Sequence, residues 1–430
     1  MLAGSAWTRA DHELLDQINR WLAEPSSQPL QHQALRRFQQ LTPPLAAKAV
    51  EDTLFYRHGP LLSRNEVGTA PGQFALPTAE FHAACAARAR RFPAAMLATA
   101  THDHKRGEDV RARLAVLSEI PLEWLRQVQQ WLGTPGKPPT AGDRSMLMQT
   151  LVGAWPLGLQ PSDGAGVAAF VERVRAWQQK AMREAKLHSS WEEPDTAYEA
   201  AGEAYLESLA SGPTLPQIAA FAMYIAPAGL LNSLAQATLR MTVPGVPDLY
   251  QGTEFWDFSL VDPDNRQSVD YPARHAALAR LAPPDQPAAI TPLSSGGPLA
   301  PQWTAGHVKQ HVVQRLLQLR ASHPLLFDHG SYLPVSVHGL RAAHVLAFVR
   351  NHEDQHVLVL APRLCAMQLA GHSAQQASAF WADTRLRLPA GMARLPWRDI
   401  FTHDVQRPDT HGCLDVARLL ENGPVSVRLA

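Results

Sequence analysis

Apolar positions first recur at helical spacing near the beginning of the chain, at Leu14, Leu15, Ile18 and Leu22, and resume at Leu35 and Phe38. Helix is expected over about residues 10–40, interrupted by a loop at Pro25, Ser26, Ser27 and Pro29. Around residues 37–57 a short strand-like entry leads into Lys48, Glu51 and Asp52 and then the aromatic pair Phe55 and Tyr56. A brief apolar run, Ala95-Met96-Leu97-Ala98, reads as a strand; small and then polar residues follow before a helical pattern starts. From Glu119 to about Met241 the pattern is mostly helical, broken at Pro194 and Asp195 and resuming as helix over 197–209. Asp248, Leu249 and Tyr250, framed by two prolines and two glycines, predict one further very short strand. Residues 280–305 are rich in Pro, Ser and Gly and read as loop, whereas 307–322 has helical spacing at Val312, Val313, Leu316, Leu317 and Leu319. Near Tyr332 the period shifts to that of strands, at 332–337, 344–349 and 356–360, which predicts a β-region of about a hundred residues closing the chain. The fold class expected is α/β, with short strands and large helical insertions.

Composition narrows the functional classes. The 430 residues suffice for a large core and more than one domain. With 39 basic against 39 acidic residues there is no electrostatic case for nucleic acid or an anionic membrane. The three cysteines lack zinc-site or disulfide spacing, which favours a reducing compartment. Met1 to Trp7 lacks a basic segment followed by an apolar core, and no uninterrupted apolar run reaches membrane-spanning length, so a cytoplasmic protein is expected.

The densest chemistry lies where the run at 95–98 ends. There Thr101-His102-Asp103-His104-Lys105-Arg106-Gly107-Glu108-Asp109 brings carboxylates, imidazoles and cations together. In a barrel of β/α units, the carboxyl ends of the strands collect the active site. Asp103, flanked by His102, Lys105 and Arg106, should stay ionised and suit the stabilisation of a developing cation. Equally, an Asp at this place can cap the following helix. Glu51 and Asp52 carry the same two meanings: mouth of a second β/α unit, or first-turn charges matched to a helix dipole.

The whole string, continued by Val110-Arg111-Ala112-Arg113 and Leu117-Ser118-Glu119, resembles the malto-oligosyltrehalose synthase family of the α-amylase superfamily (glycoside hydrolase family 13). The family usually has Thr at the position of His104 and Ser at that of Gly107. The resemblance extends to Phe38-Gln39-Gln40, Ala47-Lys48-Ala49-Val50-Glu51-Asp52-Thr53, Phe55-Tyr56-Arg57, Asn65 to Gly68, Gln149 to Pro156, Arg183 to Trp191, Asp248 to Glu254 and Asp262-Pro263-Asp264-Asn265-Arg266 with Val269-Asp270-Tyr271.

It implies that the chain is the carboxyl-terminal part of a (β/α)8 TIM barrel with large helical insertions, followed by a small all-β domain. The divisions are then 1–36, a helical insertion remnant; 37–330, barrel with insertion; and 331–430, a β-sandwich-like domain. It also implies Asp103 as the transition-state stabiliser, with His102, Lys105, Arg106, Lys48 and Glu51 binding substrate. His188 and Trp191 could reach a sugar, although packing is the commoner use of such a tryptophan. The loop containing Asp262, Asp264 and Arg266 should be locked by its own charge-assisted hydrogen bonds.

The activity implied moves the reducing-end α-1,4 bond of a malto-oligosaccharide to an α,α-1,1 bond, with neither metal nor organic cofactor. A retaining transfer also needs a nucleophile and an acid/base. The family's motifs for these two are absent between Met1 and Ala98. Either a complementary amino-terminal half carries them, or carboxylates such as Glu51, Glu66 or Glu254 replace them. The alternatives are an amylase-type hydrolase and a non-catalytic maltodextrin-binding remnant.

Overall fold

A computed structural model describes residues 8–23, 28–131, 140–283, 285–290, 293, 299–369 and 379–430. The loop residues Pro25, Ser26 and Ser27, most of the Pro/Ser/Gly-rich stretch at 291–298, and Met1 to Trp7 lie outside the described residues.

Helices α1 (Arg9–Ala23) and α2 (Pro29–Ala46) form where apolar spacing predicts them, yet neither buries a single side chain. The strand-like entry expected before Lys48 is instead the end of α2. The helix runs through Pro43 and Pro44 and then widens into a π-turn, Ala47–Glu51, closed by the Asp52 amide donating to the Ala47 carbonyl at 3.0 Å. Two adjacent prolines remove two backbone donors, and a widened turn is one way for a helix to absorb that loss. After α3 (Thr78–Arg91), β1 (Met96–Leu97) lies within the apolar run at 95–98. It pairs in parallel with β2 (Val246–Pro247), two residues earlier than the pattern at 248–250 suggested.

Between these strands come α4 (Glu108–Ala115), α5 (Pro121–Trp131), α6 (Ala141–Ala154), α7 (Gly164–Ala185), α8 (Thr196–Ser211) and α9 (Thr214–Thr242). Among the described residues α9 alone is long and apolar enough to cross a membrane, and 72% of its most apolar stretch is buried inside the protein. It is the central core helix. Gly229 lets α4 approach it, since a Cβ there would lie 2.7 Å from the Arg113 Cα. Arg113 in turn donates to the carbonyls of Val152, Gly153 and Trp155 at the end of α6, so α4 is clamped from both sides. Helices α10 (Tyr271–Leu278), α11 (Pro301–Thr304), α12 (His307–Ser322) and α13 (Pro324–Asp328) complete the helical layer.

Among the described residues, all of the remaining strands come from the last hundred positions. A six-stranded antiparallel sheet runs β3 (Ser331–Pro334), β5 (Val345–His352), β6 (Gln355–Pro362), β11 (Ser426–Leu429), β8 (Trp397–Asp399), β9 (Val405–Gln406). A three-stranded sheet runs β10 (Cys413–Asp415), β7 (Arg385–Arg387), β4 (Ser336–His338). Short helices, Ala366–Leu369 and Val416–Leu419, sit among these strands, so the region mixes helix with sheet. Strand β5 alternates with period two. Leu346 and Phe348 join the core shared with the helices, while Val345, Ala347 and Val349 join a second core under the smaller sheet. The runs look continuously apolar because both faces are covered. Arg350, on the helix-facing side, donates to the carbonyls of Thr242, Leu326, Phe327 and Gly330 and ties the sheet to the end of α9.

Candidate active site

The loop after β1 carries the site. Its geometry removes the capping alternative for Asp103, because α4 begins at Glu108 with Gly107 in the cap position. The Asp103 carboxylate is about half exposed and receives the Lys105 ammonium at 3.3 Å. Lys105 is itself buried and is held more tightly by Asp52, at 2.6 Å. Asp52 also takes Lys48, at 2.5 Å, from one turn earlier in the chain. Lys48 and Asp103 are therefore joined through a chain of four alternating charges.

Burial would raise the Asp52 carboxyl, but the hydrogen bonds from Lys105 and Lys48 outweigh it and hold it below its ordinary value. Burial would likewise lower Lys105; Asp52 outweighs that, and the ammonium is stabilised above its usual range. The site thus keeps a fixed positive charge beneath a half-exposed carboxylate. Such an arrangement leaves the outer face of the carboxylate free to accept hydrogen bonds.

The loop itself is fixed from three directions. Glu66, almost fully buried, accepts the Lys105 amide at 3.0 Å and the Arg106 amide at 3.3 Å, and pairs with Arg111 at 3.3 Å. The His102 carbonyl accepts from Asn265 Nδ2 at 3.0 Å and Arg266 Nε at 3.1 Å. Gly107 passes so close to Asp257 that a Cβ would meet its carbonyl oxygen at 2.5 Å, and His104 hydrogen-bonds Ser259 at 3.0 Å beside it. Behind the loop, Lys309 on α12 meets Glu108 at 2.6 Å and Asp109 at 2.7 Å, and Arg240 on α9 meets Glu108 at 2.7 Å, all buried. Against the effect of burial, Lys309 and Arg240 bring Glu108 down to about 2, whereas burial keeps Asp109 above its ordinary value.

Not every expected contact residue reaches the surface. Arg106 was expected beside the carboxylate as a ligand contact; its side chain is instead buried, 5.8 Å over the Trp177 ring, with burial lowering it to about 10. It belongs to the floor of the site. Lys105 too is buried, paired with Asp52 and Asp103. His102 and Lys48 are exposed, and Glu51 accepts the Gly68 amide at 3.0 Å. The three carboxylates considered as a replacement pair are engaged elsewhere: Glu66 and Glu51 as just described, Glu254 facing Arg274 at 3.7 Å. The Asp262–Arg266 loop is locked mainly by α7, not by itself. Arg173 takes Asp264 bidentately at 2.9 and 2.8 Å, and Lys180 takes Asp262 at 2.5 Å. Asn265 also lines a cavity of about 180 Å³ with Tyr250, Trp256, Asp257 and Ser259. No group of three or more metal-ligating side chains gathers among the described residues.

Asp52 is the residue whose part sequence reasoning missed. Its spacing of four from Lys48 was the available signal. Arg173 and Lys180, seven apart and hence on one face of α7, were the other.

This arrangement, a parallel strand pair with the site loop at its end, wrapped by helices and followed by antiparallel sheets, matches part of the α/β fold of larger solved enzymes. A maltooligosyltrehalose synthase structure from Arthrobacter ramosus matches 98% of this chain and 49% of its own, with a TM-score of 0.76 and 34% identity. One from Sulfolobus tokodaii, titled a hypothetical maltooligosyl trehalose synthase, matches 100% of this chain and 51% of its own, with a TM-score of 0.69 and 25% identity. A Mycobacterium tuberculosis protein named as a maltooligosyl trehalose synthase is 38% identical over 367 residues, 85% of this chain and 42% of its own length. No family model matches the sequence. The chain is homologous to part of the maltooligosyltrehalose synthases and spans about half the length of these relatives.

Proposed function

We propose that the chain supplies the carboxyl-terminal part of a maltooligosyltrehalose synthase. It would take part in moving the reducing-end α-1,4 bond of a malto-oligosaccharide to an α,α-1,1 bond, an isomerisation on the route to trehalose. The observation that carries the reading is the half-exposed Asp103 carboxylate over buried Lys105 and partly buried Asp52, at the end of a parallel strand. Asp103 accepts hydroxyl hydrogen bonds from the sugar at the cleaved bond, and those bonds strengthen as the ring gains oxocarbenium character. His102 and Lys48 contact the substrate from the exposed side, and Glu51 shapes their rim.

In this reading β1 and β2 are neighbouring strands of a (β/α)8 barrel, and residues 331–430 form its carboxyl-terminal β-domain. The remaining strands, with the nucleophile and the acid/base, come from polypeptide equivalent to the relatives' other half, in a cytoplasmic enzyme. The exposed residues Met96 and Val246 on the strand pair and the unburied faces of α1 and α2 support that partner. An open strand pair is otherwise a liability.

The test is to incubate maltopentaose with the purified chain, with and without the equivalent amino-terminal polypeptide, and to follow reducing ends. Loss of reducing ends in the combined sample, abolished by Asp103→Asn, is expected. A gain would instead favour a hydrolase, and no change in any combination would refute turnover.

A further inference from the structure

Asp103 stands at the third place of a four-residue turn, Thr101-His102-Asp103-His104. The backbone closes that turn only at long range, with the His104 amide donating to the Thr101 carbonyl at 3.4 Å. Two side-chain bonds add to it. The Thr101 hydroxyl accepts the Asp103 amide at 3.2 Å, and Nδ1 of the His104 ring accepts the Thr101 amide at 3.3 Å. One of the bonds that fasten the carboxylate's turn is therefore made by a titratable group.

The direction of that bond fixes the state of the ring. A backbone N–H can only donate, so Nδ1 must be bare and the neutral ring carries its proton on Nε2. Nε2 lies 3.0 Å from the Ser259 hydroxyl, which can accept it. The ring is buried, meets Tyr250 edge-on at 6.0 Å between centroids, and has the Asp257 carboxylate 3.9 Å from Nε2. Glu66 and Glu108 also favour its charged form, and Arg111 opposes it. Burial outweighs the carboxylates and holds the imidazole below its ordinary value of 6.5. A base depressed in this way stabilises the fold while neutral; that contribution is complete above 6.5 and is lost as pH falls through the lower folded value. A second proton would have to go on Nδ1, where the Thr101 N–H already points. The imidazolium and the closed turn therefore exclude each other. Tyr250, Asp257 and Ser259 also line the cavity of about 180 Å³, which gives the proton a way in.

We propose that His104 is a positioning residue for Asp103: its neutral ring latches the turn that presents the carboxylate, and acid releases it. The inference rests on the reading of Asp103 as the carboxylate at the reacting sugar. It is tested on the purified chain by amide hydrogen exchange of the 98–106 segment between pH 7.5 and pH 4.5, corrected for the intrinsic rate at each pH. Wild type, His104→Asn and His104→Ala are compared, with circular dichroism checking the fold. Asparagine offers an acceptor oxygen near the place of Nδ1 and does not titrate. Expected is protection that falls in wild type by up to about tenfold per pH unit once the ring takes its proton, stays level in His104→Asn, and is low throughout in His104→Ala. The same dependence on pH in wild type and His104→Asn overturns the latch, as does an NMR spectrum that places the neutral ring's proton on Nδ1. With the equivalent amino-terminal polypeptide added, isomerisation of maltopentaose by wild type should slow below pH 6.5, and His104→Asn should lack that acid limb. Turnover absent from every combination overturns the reading of Asp103, while the exchange measurement still decides the latch.

Discussion

Helix α9 and the pair α1–α2 were announced by the same signal, apolar residues at helical spacing, yet they have opposite fates. Twenty residues of α9 are buried; α1 and α2 bury none. Periodicity tells how a segment would present an apolar face, not whether this chain contains anything to cover it. The site loop sits on the covered side, on α4 and against α9. Its Lys48 end projects to the uncovered side, at the turn that follows α2.

The sharpest test of the covered side is Lys309→Ala, which strands Glu108 and Asp109 without their shared cation. Breaking a buried pair this way costs about 3–5 kcal/mol, to be read from urea unfolding. Next, Leu234→Ala in α9 should cost about 2–5 kcal/mol, whereas Leu41→Ala in α2 should stay within about 0.5 kcal/mol. Comparable losses from the two leucines would show that α2 is covered in solution and would break the contrast.

A smaller effect depends on pH. Burial raises Glu119 from 4.5 to about 7, although the Ala366 amide donates to it at 2.9 Å. A carboxyl raised by folding stabilises while it is protonated. That contribution is full below its ordinary value of 4.5 and is lost as pH rises through about 7. Glu119→Gln should therefore gain stability relative to wild type near pH 8, on the order of 1–2 kcal/mol, with little difference near pH 4. Glu108 runs the other way: depressed to about 2, it stabilises above 4.5 and that contribution fades as acid approaches pH 2. Smallest of all, Lys48→Ala removes an ion pair whose lysine is largely exposed, and the unfolding midpoint should move by no more than about 0.5 kcal/mol equivalent.

What the sequence disclosed follows from how local each feature is. The strand at 95–98, the helix His307–Ser322 and the strands β3, β5 and β6 are set by short-range pattern and stand close to where the pattern places them. The contact that holds Asp103 was legible because its partner Lys105 is only two positions away. Asp52 was not: its meaning depends on meeting Lys105, 53 positions away. The strand-like entry before Lys48 misled because Pro43 and Pro44 suggest the end of a helix, and the backbone widened instead of stopping. Arg106 misled because adjacency to Asp103 does not say which way a side chain turns. The lock on the loop from Asp262 to Arg266 was sought within the loop, whereas its partners lie on α7, some ninety residues earlier.

The alternation along β5 has a consequence for how the protein comes apart. Its even- and odd-numbered side chains serve two different cores, and Arg350 fastens the same strand to the end of α9. Neither core can open without disturbing that strand. The long helix and the terminal sheets should then exchange their amide hydrogens and melt as one cooperative unit, with a single calorimetric transition where a chain of loosely joined modules would give two.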